Sequence, residues 1–421
     1  MTLAGYTRSL AVTFLLHYSI TLASIFVVGR IGKTELGAVS LATVTANITC
    51  YSPIQGLATS LDTLCAQAYG SGHRSLVALW YHADTIFATF IPEKDTALLA
   101  ARYLRILVVG TPGVAAFEAG KRFVQAQGLF HGTTYVLLLG APFNIFLNWL
   151  LVWKLDWGFA GAPIAMACTQ LLLPVLLLGY VCFIDGSQCW DGFSWRAFSN
   201  WGPMLKLALP GLLMIEAQYF AFELLTIVSG QFGGASLAAQ SILVTLGSAS
   251  YQVPFAVSIA ASTRVANLIG TKLSHAAWTS AKVALSAGFI VGIFNMIILG
   301  MGRHVLPGLL TADSEVRHIV LAVLPTLAVM QVFDAMAATS HGLLRGIGRQ
   351  FVGGYTNLLS FYLVALPISF STSFALGWKL QGLWVGVTVG LLIVTFIEMV
   401  YLFNADWERA VDEAENRVDV N

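Results

Sequence analysis

The sequence predicts an all-α polytopic membrane protein with two pseudo-repeated helical lobes. Hydrophobic residues make up 57% of the 421-residue chain, only 10% are charged, and the mean hydropathy is +0.77. A soluble domain carries about 25% charged residues, so this composition excludes a soluble globule, and its high apolar content excludes a disordered chain. The apolar stretches are continuous rather than alternating, which is typical of membrane helices and not of an outer-membrane barrel.

Eleven stretches are long and apolar enough to form membrane helices, each of which needs about 20 residues to cross the hydrocarbon core. Prolines inside several stretches fit this assignment, because neighbouring helices satisfy the freed backbone groups. We therefore expect an integral, multi-pass protein of the lipid bilayer, in the plasma or the vacuolar membrane. The stretches lie near residues 11–28, 37–61, 104–118, 133–152, 159–183, 205–228, 237–262, 283–302, 319–339, 351–374 and 380–403.

Other classes of protein are excluded by charge and by the lack of motifs. The net charge of +1 offers no basic face for nucleic acid. The patterns HExxH, GxSxG and CxxC do not occur, and the five cysteines lack metal-ligand spacing. We expect no enzymatic activity, no metal and no cofactor.

A polar segment divides the chain into the two lobes. The predicted division is a first lobe over 1–185 with five clear spans, a linker over 186–204 and a second lobe over 205–404 with six spans. The remaining residues, 405–421, are rich in Asp and Glu and are predicted to be a solvated, acidic, cytoplasmic tail. Alternate loops carry an excess of Lys and Arg, which the positive-inside rule places in the cytoplasm.

A comparison of the two lobes predicts that one helix is missing. Segment 61–72 can be laid on segment 261–272, with Gly70 over Gly270, and Gly128 can be laid on Gly348. The second interval has 78 residues, whereas the first has 58. Nearly all of the deficit lies between Gly70 and Asp95, where the second lobe has a complete span. We therefore predict that most of the third of twelve helices is absent.

Four segments carry a family resemblance in the expected order. They resemble the multidrug and toxic compound extrusion (MATE) family, and the stretch EAQYFAFELLT looks like its eukaryotic, fungal-like branch. The resemblance implies twelve helices in two lobes of six and the activity of a cation antiporter. The segments are GLATSLDTLCAQAYGSG at 56–72, KRFVQAQG at 121–128, PFAVSIAASTRVANLIG at 254–270 and QVFDAMAATSHGLLRGIGRQ at 331–350.

Acidic residues inside the spans are the candidate ion-binding groups, since charge in the bilayer is costly and tends to face a cavity. Glu216 and Glu223 are seven residues apart, which places them on one helix face about 10 Å apart. A carboxyl group in a low-dielectric medium can exchange protons near neutral pH. The alternative is a Glu that only bonds a neighbouring helix. The resemblance adds that Glu223 and Asp334 match the family's seventh-helix and tenth-helix acids, and that another family Glu falls on Gln218.

The predicted proton- and cation-binding residues are therefore Glu223, Asp334 and Glu216. A possible substrate path is lined by Asp62, Gln218, Tyr219 and Gln240, although buried amides more often join helices and neighbouring hydroxyls can satisfy Asp62.

Two further acids inside or near the spans have simpler explanations. We expect Glu118 to pair with Arg122 four residues later. Glu398 lies close to the end of the last span, so we expect it at the membrane interface.

Two functions from different classes remain open. The first is a secondary active antiporter that exports organic cations or drug-like molecules in exchange for a coupling ion, expected to be the proton, and works as a monomer. The second is a transport-incompetent truncated product, or a mispredicted gene model, of such a transporter. A membrane enzyme ranks last because the sequence has no catalytic constellation.

Overall fold

The protein is described here from a computed structural model. The described residues are 2–29, 39, 42–43, 46, 51, 94–127, 129–186, 201–311 and 313–419. Every regular element in these ranges is helical, which confirms the predicted fold class. Contacts divide the chain into two compact units, one of Val12–Met204 and one of Leu205–Asn421 together with Met1–Ala11.

In the part of the chain that the structure describes, the first unit contains four whole helices and most of a fifth, and small residues set their spacing. A Cβ atom at Gly113 would clash with the carbonyl oxygen of Gln170, so the glycine allows two helices to approach closely. Buried amides add hydrogen bonds, as between Asn144 Nδ2 and Thr169 Oγ1 at 3.0 Å. The helices are α1 (Thr2–Gly29), α2 (Lys94–Leu107), α3 (Thr111–Ala126), α4 (Phe130–Asn148) and α5 (Gly161–Phe183).

The second unit is built around one long helix, α10, whose central part is buried. Neighbouring helices pack on it from several sides, and π-helical turns at Ser360–Ala365 and Ser371–Ala375 flank the short helix α12. The helices are α6 (Trp201–Ser229), α7 (Gly234–Gly270), α8 (Ser274–Gly302), α9 (Leu306–Leu310), α10 (Ser314–Gly346), α11 (Gln350–Leu359), α12 (Leu366–Phe370), α13 (Lys379–Asn404) and α14 (Trp407–Asp419).

The predicted spans agree with these helices where the structure describes them. Eight helical stretches between Phe130 and Asn404 are long and apolar enough to cross a membrane, and they match the last eight predicted spans. Helix α1 contains the first predicted span, and α2 and α3 cover the third. Most of the predicted span at 37–61, most of the linker and nearly all of the interval of the predicted missing helix lie outside the described residues.

The C-terminal tail is helical. Trp407–Asp419 forms helix α14, in which Ala410 and Val411 are buried while Glu408 and Asp412 are exposed. Trp407 packs on Trp278 with ring centroids 5.2 Å apart. The tail is amphipathic, because its few apolar side chains share one helix face. The many acidic residues made this pattern difficult to recognise in the sequence.

Candidate functional site

Asp334 lies in the buried middle of α10, with 6% of its surface exposed. The side chain of Gln218, on α6, forms a hydrogen bond with its carboxyl group. Tyr219 on α6 and Tyr251 on α7 both interact electrostatically with Asp334. Three helices thus bring polar side chains to one buried carboxyl group, and two of the partners, Gln218 and Tyr219, belong to the predicted substrate path.

Glu216 belongs to the same group of residues. It interacts electrostatically with Tyr219 and with Tyr362, which follows α11. Tyr219 also interacts electrostatically with Asp334. A phenol hydroxyl can donate a hydrogen bond to an ionised carboxylate or accept one from a protonated carboxyl group. Glu216, Gln218, Tyr219 and Asp334 therefore form one cluster, which we call the Asp334 cluster.

Glu223 lies two turns further along α6, about 10 Å from Glu216 along the helix axis. Its Oε2 atom is buried and accepts no hydrogen bond from the residues that the structure describes. Buried polar atoms without partners are uncommon in folded proteins. The unsatisfied oxygen makes Glu223 a separate candidate for binding a proton or a cation.

Gln240 has contacts that join helices. Its Oε1 accepts a hydrogen bond from Trp384 Nε1 at 2.8 Å, and its Nε2 donates to Thr226 Oγ1 at 3.2 Å. The amide thereby connects α6, α7 and α13 inside the second unit. Asp62, the other residue proposed for the substrate path, lies outside the described residues.

The prediction for Glu398 is wrong. Rather than lying at the interface, Glu398 is completely buried, and its Oε1 is 3.1 Å from His341 Nε2. The sequence held one signal for this pair: His341 follows Asp334 by seven residues, which places both on one face of α10. The partner on α13 could not be found from spacing, since it is far away in the chain.

The last turns of α10 contain a buried arginine. The guanidinium of Arg345 donates from Nη2 to Ser258 Oγ at 2.7 Å. A Cβ atom at Gly342 would clash with the backbone oxygen of Ser258, so the glycine lets α10 approach α7 closely enough for this bond.

The first unit also buries charges, in a different arrangement. Glu118 forms its ion pair with Lys121, whose ammonium group is 2.5 Å from the carboxyl group, and it also interacts electrostatically with Arg122, the predicted partner. The Lys121 ammonium also lies 5.5 Å and 5.9 Å from the ring centroids of Phe14 and Phe117. Opposite charges and aromatic faces thus surround this lysine.

A cavity of about 670 Å³ opens where α7, α10 and α13 begin. Glu315, His318 and Lys379 line it, together with Trp378 and Phe232. None of the predicted ion-binding acids does. Among the residues that the structure describes, no three His, Cys, Asp or Glu side chains are grouped as metal ligands.

Comparisons with known proteins relate the chain to transporters. A family model described as MatE matches residues 9–78, 75–150 and 210–371. An uncharacterized transporter of Saccharomyces cerevisiae is 40% identical, with 98% of this chain and 62% of the yeast protein covered. An uncharacterized transporter of Schizosaccharomyces pombe is 36% identical, with 99% and 81% covered. Multidrug and toxin extrusion protein 2 of Mus musculus is 29% identical, with 96% and 74% covered.

Solved structures agree with this relationship. The crystal structure of a eukaryotic MATE transporter, AtDTX14, superposes with a TM-score of 0.93 at 27% identity, over 99% of this chain and 98% of that one. A crystal structure of MATE in the bent conformation gives 0.75 at 14% identity, over 99% and 96%, and at that identity it shows the fold alone.

Two details of the comparisons bear on the predicted missing helix. The alignment with the Saccharomyces cerevisiae protein extends over 434 residues, more than the 421 of this chain, so the relative has positions that lack a counterpart here. The family model matches the second half in one piece but the first half in two pieces that meet at 75–78. That junction falls inside the interval from Gly70 to Asp95.

Proposed function

The chain belongs to the MATE family, and from that premise we propose that it is a secondary active antiporter that exports organic cations in exchange for protons. The chain is an integral, multi-pass membrane protein, and the family consists of transporters. The observation that carries the proposal is the Asp334 cluster, in which a buried carboxyl group meets polar side chains from two other helices of the second unit.

The proposed chemistry is competition between a proton and an organic cation. An ionised Asp334 inside the bilayer is costly unless a cation compensates its charge. A proton and an organic cation are alternative ways to remove that charge. Protonation on the outer or lumenal side therefore releases the cation, and deprotonation on the cytoplasmic side restores the site.

Gln218 suits a carboxyl group that changes its protonation state. Its amide can donate a hydrogen bond to the ionised carboxylate or accept one from the protonated acid. A Glu at this position, which the family resemblance would place there, would add a second titratable carboxyl group beside Asp334. We propose that Glu216 supplies part of the missing charge, because Tyr219 links it to Asp334.

The test is efflux driven by a pH gradient in proteoliposomes, with a fluorescent organic cation as the probe. We expect Asp334→Asn to abolish gradient-driven efflux and Glu223→Gln to reduce it strongly. The matched control is Glu315→Gln, which removes an exposed acid from the same helix as Asp334 and should leave efflux unchanged. Unchanged efflux in both Asp334→Asn and Glu223→Gln would rule the proposal out.

The second candidate is a product that cannot transport because its third helix is mostly missing. The excess length of the yeast alignment and the divided family match favour it. The genomic DNA around the codons for Tyr81 to Asp84 decides its origin. An in-frame apolar stretch of about 20 codons there identifies an incomplete gene model, and the chain with that stretch restored should transport.

A further inference from the structure

A buried acid–base pair, His341 on α10 and Glu398 on α13, lies apart from the Asp334 cluster. The distance between His341 Nε2 and Glu398 Oε1 is 3.1 Å, and the side chains are 8% and 0% exposed. Both oxygens of Glu398 and the Nε2 atom of His341 are buried, and none of the three has a hydrogen-bond partner among the residues that the structure describes. We infer that this His341–Glu398 pair is a second proton-binding site of the transporter, which holds one proton shared between the two side chains.

The inference follows from the charge that the pair can carry. An ionised Glu398 beside a neutral His341 would leave an uncompensated negative charge at a buried position. One added proton removes that charge in either of two forms, imidazolium with carboxylate or imidazole with carboxylic acid. Both forms hold the same number of protons, and the proton moves between Nε2 and Oε1 when one form becomes the other.

The walls around the pair leave room for a proton and not for an organic cation. Met214 of α6 and Gly353 of α11 close it off. A Cβ atom at Gly353 would lie 2.6 Å from Met214 Sδ and 3.3 Å from Glu398 Oε1, so even a methyl group there would have to displace the Met214 side chain. The ligand class is therefore the proton itself.

Charged groups on the surrounding helices connect the pair to the Asp334 cluster. On α10, Asp334 lies two turns before His341 and Arg345 lies one turn after it, with opposite charges. Asp334 and His341 interact electrostatically. Helix α8 has no charged residue in its contact stretch 288–295, and α13 has no other ionisable residue between Lys379 and Tyr401. The titratable or charged residues of α6 are Lys206, Glu216, Tyr219 and Glu223, and those of α7 are Tyr251 and Arg264.

The proton of the pair should consequently respond to the occupant of Asp334. An ionised Asp334 favours the proton on His341–Glu398, whereas a cation bound at Asp334 disfavours it. The pair lies between Asp334 and the basic end of α10, which the positive-inside rule assigns to the cytoplasm. Proton exchange at the pair is thus expected with the cytoplasmic side. The role of this proton in antiport rests on the proposed function, whereas the existence of the proton-binding site does not depend on it.

Infrared difference spectroscopy of the protein in lipid nanodiscs, recorded between two pH values, tests the inference. We expect a carboxyl or imidazolium band in the wild type that is lost in both Glu398→Gln and His341→Gln, because one proton belongs to both residues. The band should persist in Thr395→Val, which removes a buried hydroxyl bonded to Phe333 O at 3.0 Å, one turn before Glu398. If Glu398→Gln does not fold, His341→Gln decides alone.

Bands unchanged by either substitution would overturn the inference. The Asp334→Asn variant separates it from the proposed function. If efflux survives unchanged in both Asp334→Asn and Glu223→Gln while the paired band is present, the antiport proposal fails and the proton site stands. If efflux requires Asp334 but the paired band is missing, the second proton site alone fails. In the first lobe no such band is expected from Glu118.

Discussion

The two units bury ionisable side chains in opposite ways. In the first unit, Glu118 pairs with Lys121 one turn away on the same helix, and two phenylalanine rings cover the ammonium group. In the second unit, carboxyl groups on α6, α10 and α13 meet amides, hydroxyls and a histidine instead of a lysine. Burial alone therefore does not identify an ion-binding acid, since a local cation fixes one carboxylate and leaves the others able to change charge.

The largest effect on stability is expected for Glu118→Gln in the first unit. The substitution leaves Lys121 buried without its carboxylate, and breaking a buried ion pair costs about 3–5 kcal/mol. Thermal unfolding in detergent measures the loss. The control, Asp156→Asn, changes an exposed acid of the same unit and should stay within about 0.5 kcal/mol of the wild type. Equal stability of both variants would remove the contrast between the units.

A smaller loss of stability is expected for Gly342→Ala in the second unit, near the buried guanidinium of Arg345. Gly342→Ala places a Cβ atom against the backbone of Ser258 and separates α10 from α7, which weakens the bond from Arg345. Such overpacking costs about 1–3 kcal/mol. Gly300→Ala on α8 is the matched control, because a Cβ atom there meets nothing within 4 Å. A Gly342→Ala protein as stable as Gly300→Ala would contradict the close approach.

Gln240→Leu distinguishes a residue that joins helices from one that binds substrate. The substitution removes the hydrogen bonds to Trp384 and Thr226, at a cost of about 1 kcal/mol. We expect lower stability but an unchanged KM for several organic cations. A KM that changes differently from one cation to another would instead place Gln240 on the substrate path.

The smallest effect on stability is expected for Glu223→Gln. The Oε2 atom of Glu223 has no hydrogen bond to lose among the described residues, so the free energy of unfolding should change by less than about 0.5 kcal/mol. Thermal unfolding is measured as for Glu118→Gln. The ratio of the stability lost in Glu118→Gln to the stability lost in Glu223→Gln compares the two units most directly. A large destabilisation by Glu223→Gln would show that it is fixed by a partner, as Glu118 is.

The sequence predicted what depends on composition and local spacing. Long apolar runs predicted the helices, and the acidic residues inside those runs, Glu216, Glu223 and Asp334, were the candidate ion-binding residues. The partners of Glu398 and Gln240 could not be predicted, because His341 and Trp384 come from distant helices whose packing depends on close contacts of glycine. The sequence predicted Arg122 as a partner of Glu118 but missed Lys121, although spacings of three and four both face one side of a helix.

The central claim is that the Asp334 cluster exchanges a proton for an organic cation. Its most direct test is the release of protons when an organic cation binds to the purified protein in weakly buffered detergent solution, followed with a pH-indicator dye. We predict release from the wild type and from Glu315→Gln, and its loss in Asp334→Asn. Proton release of equal size from Asp334→Asn would contradict the claim.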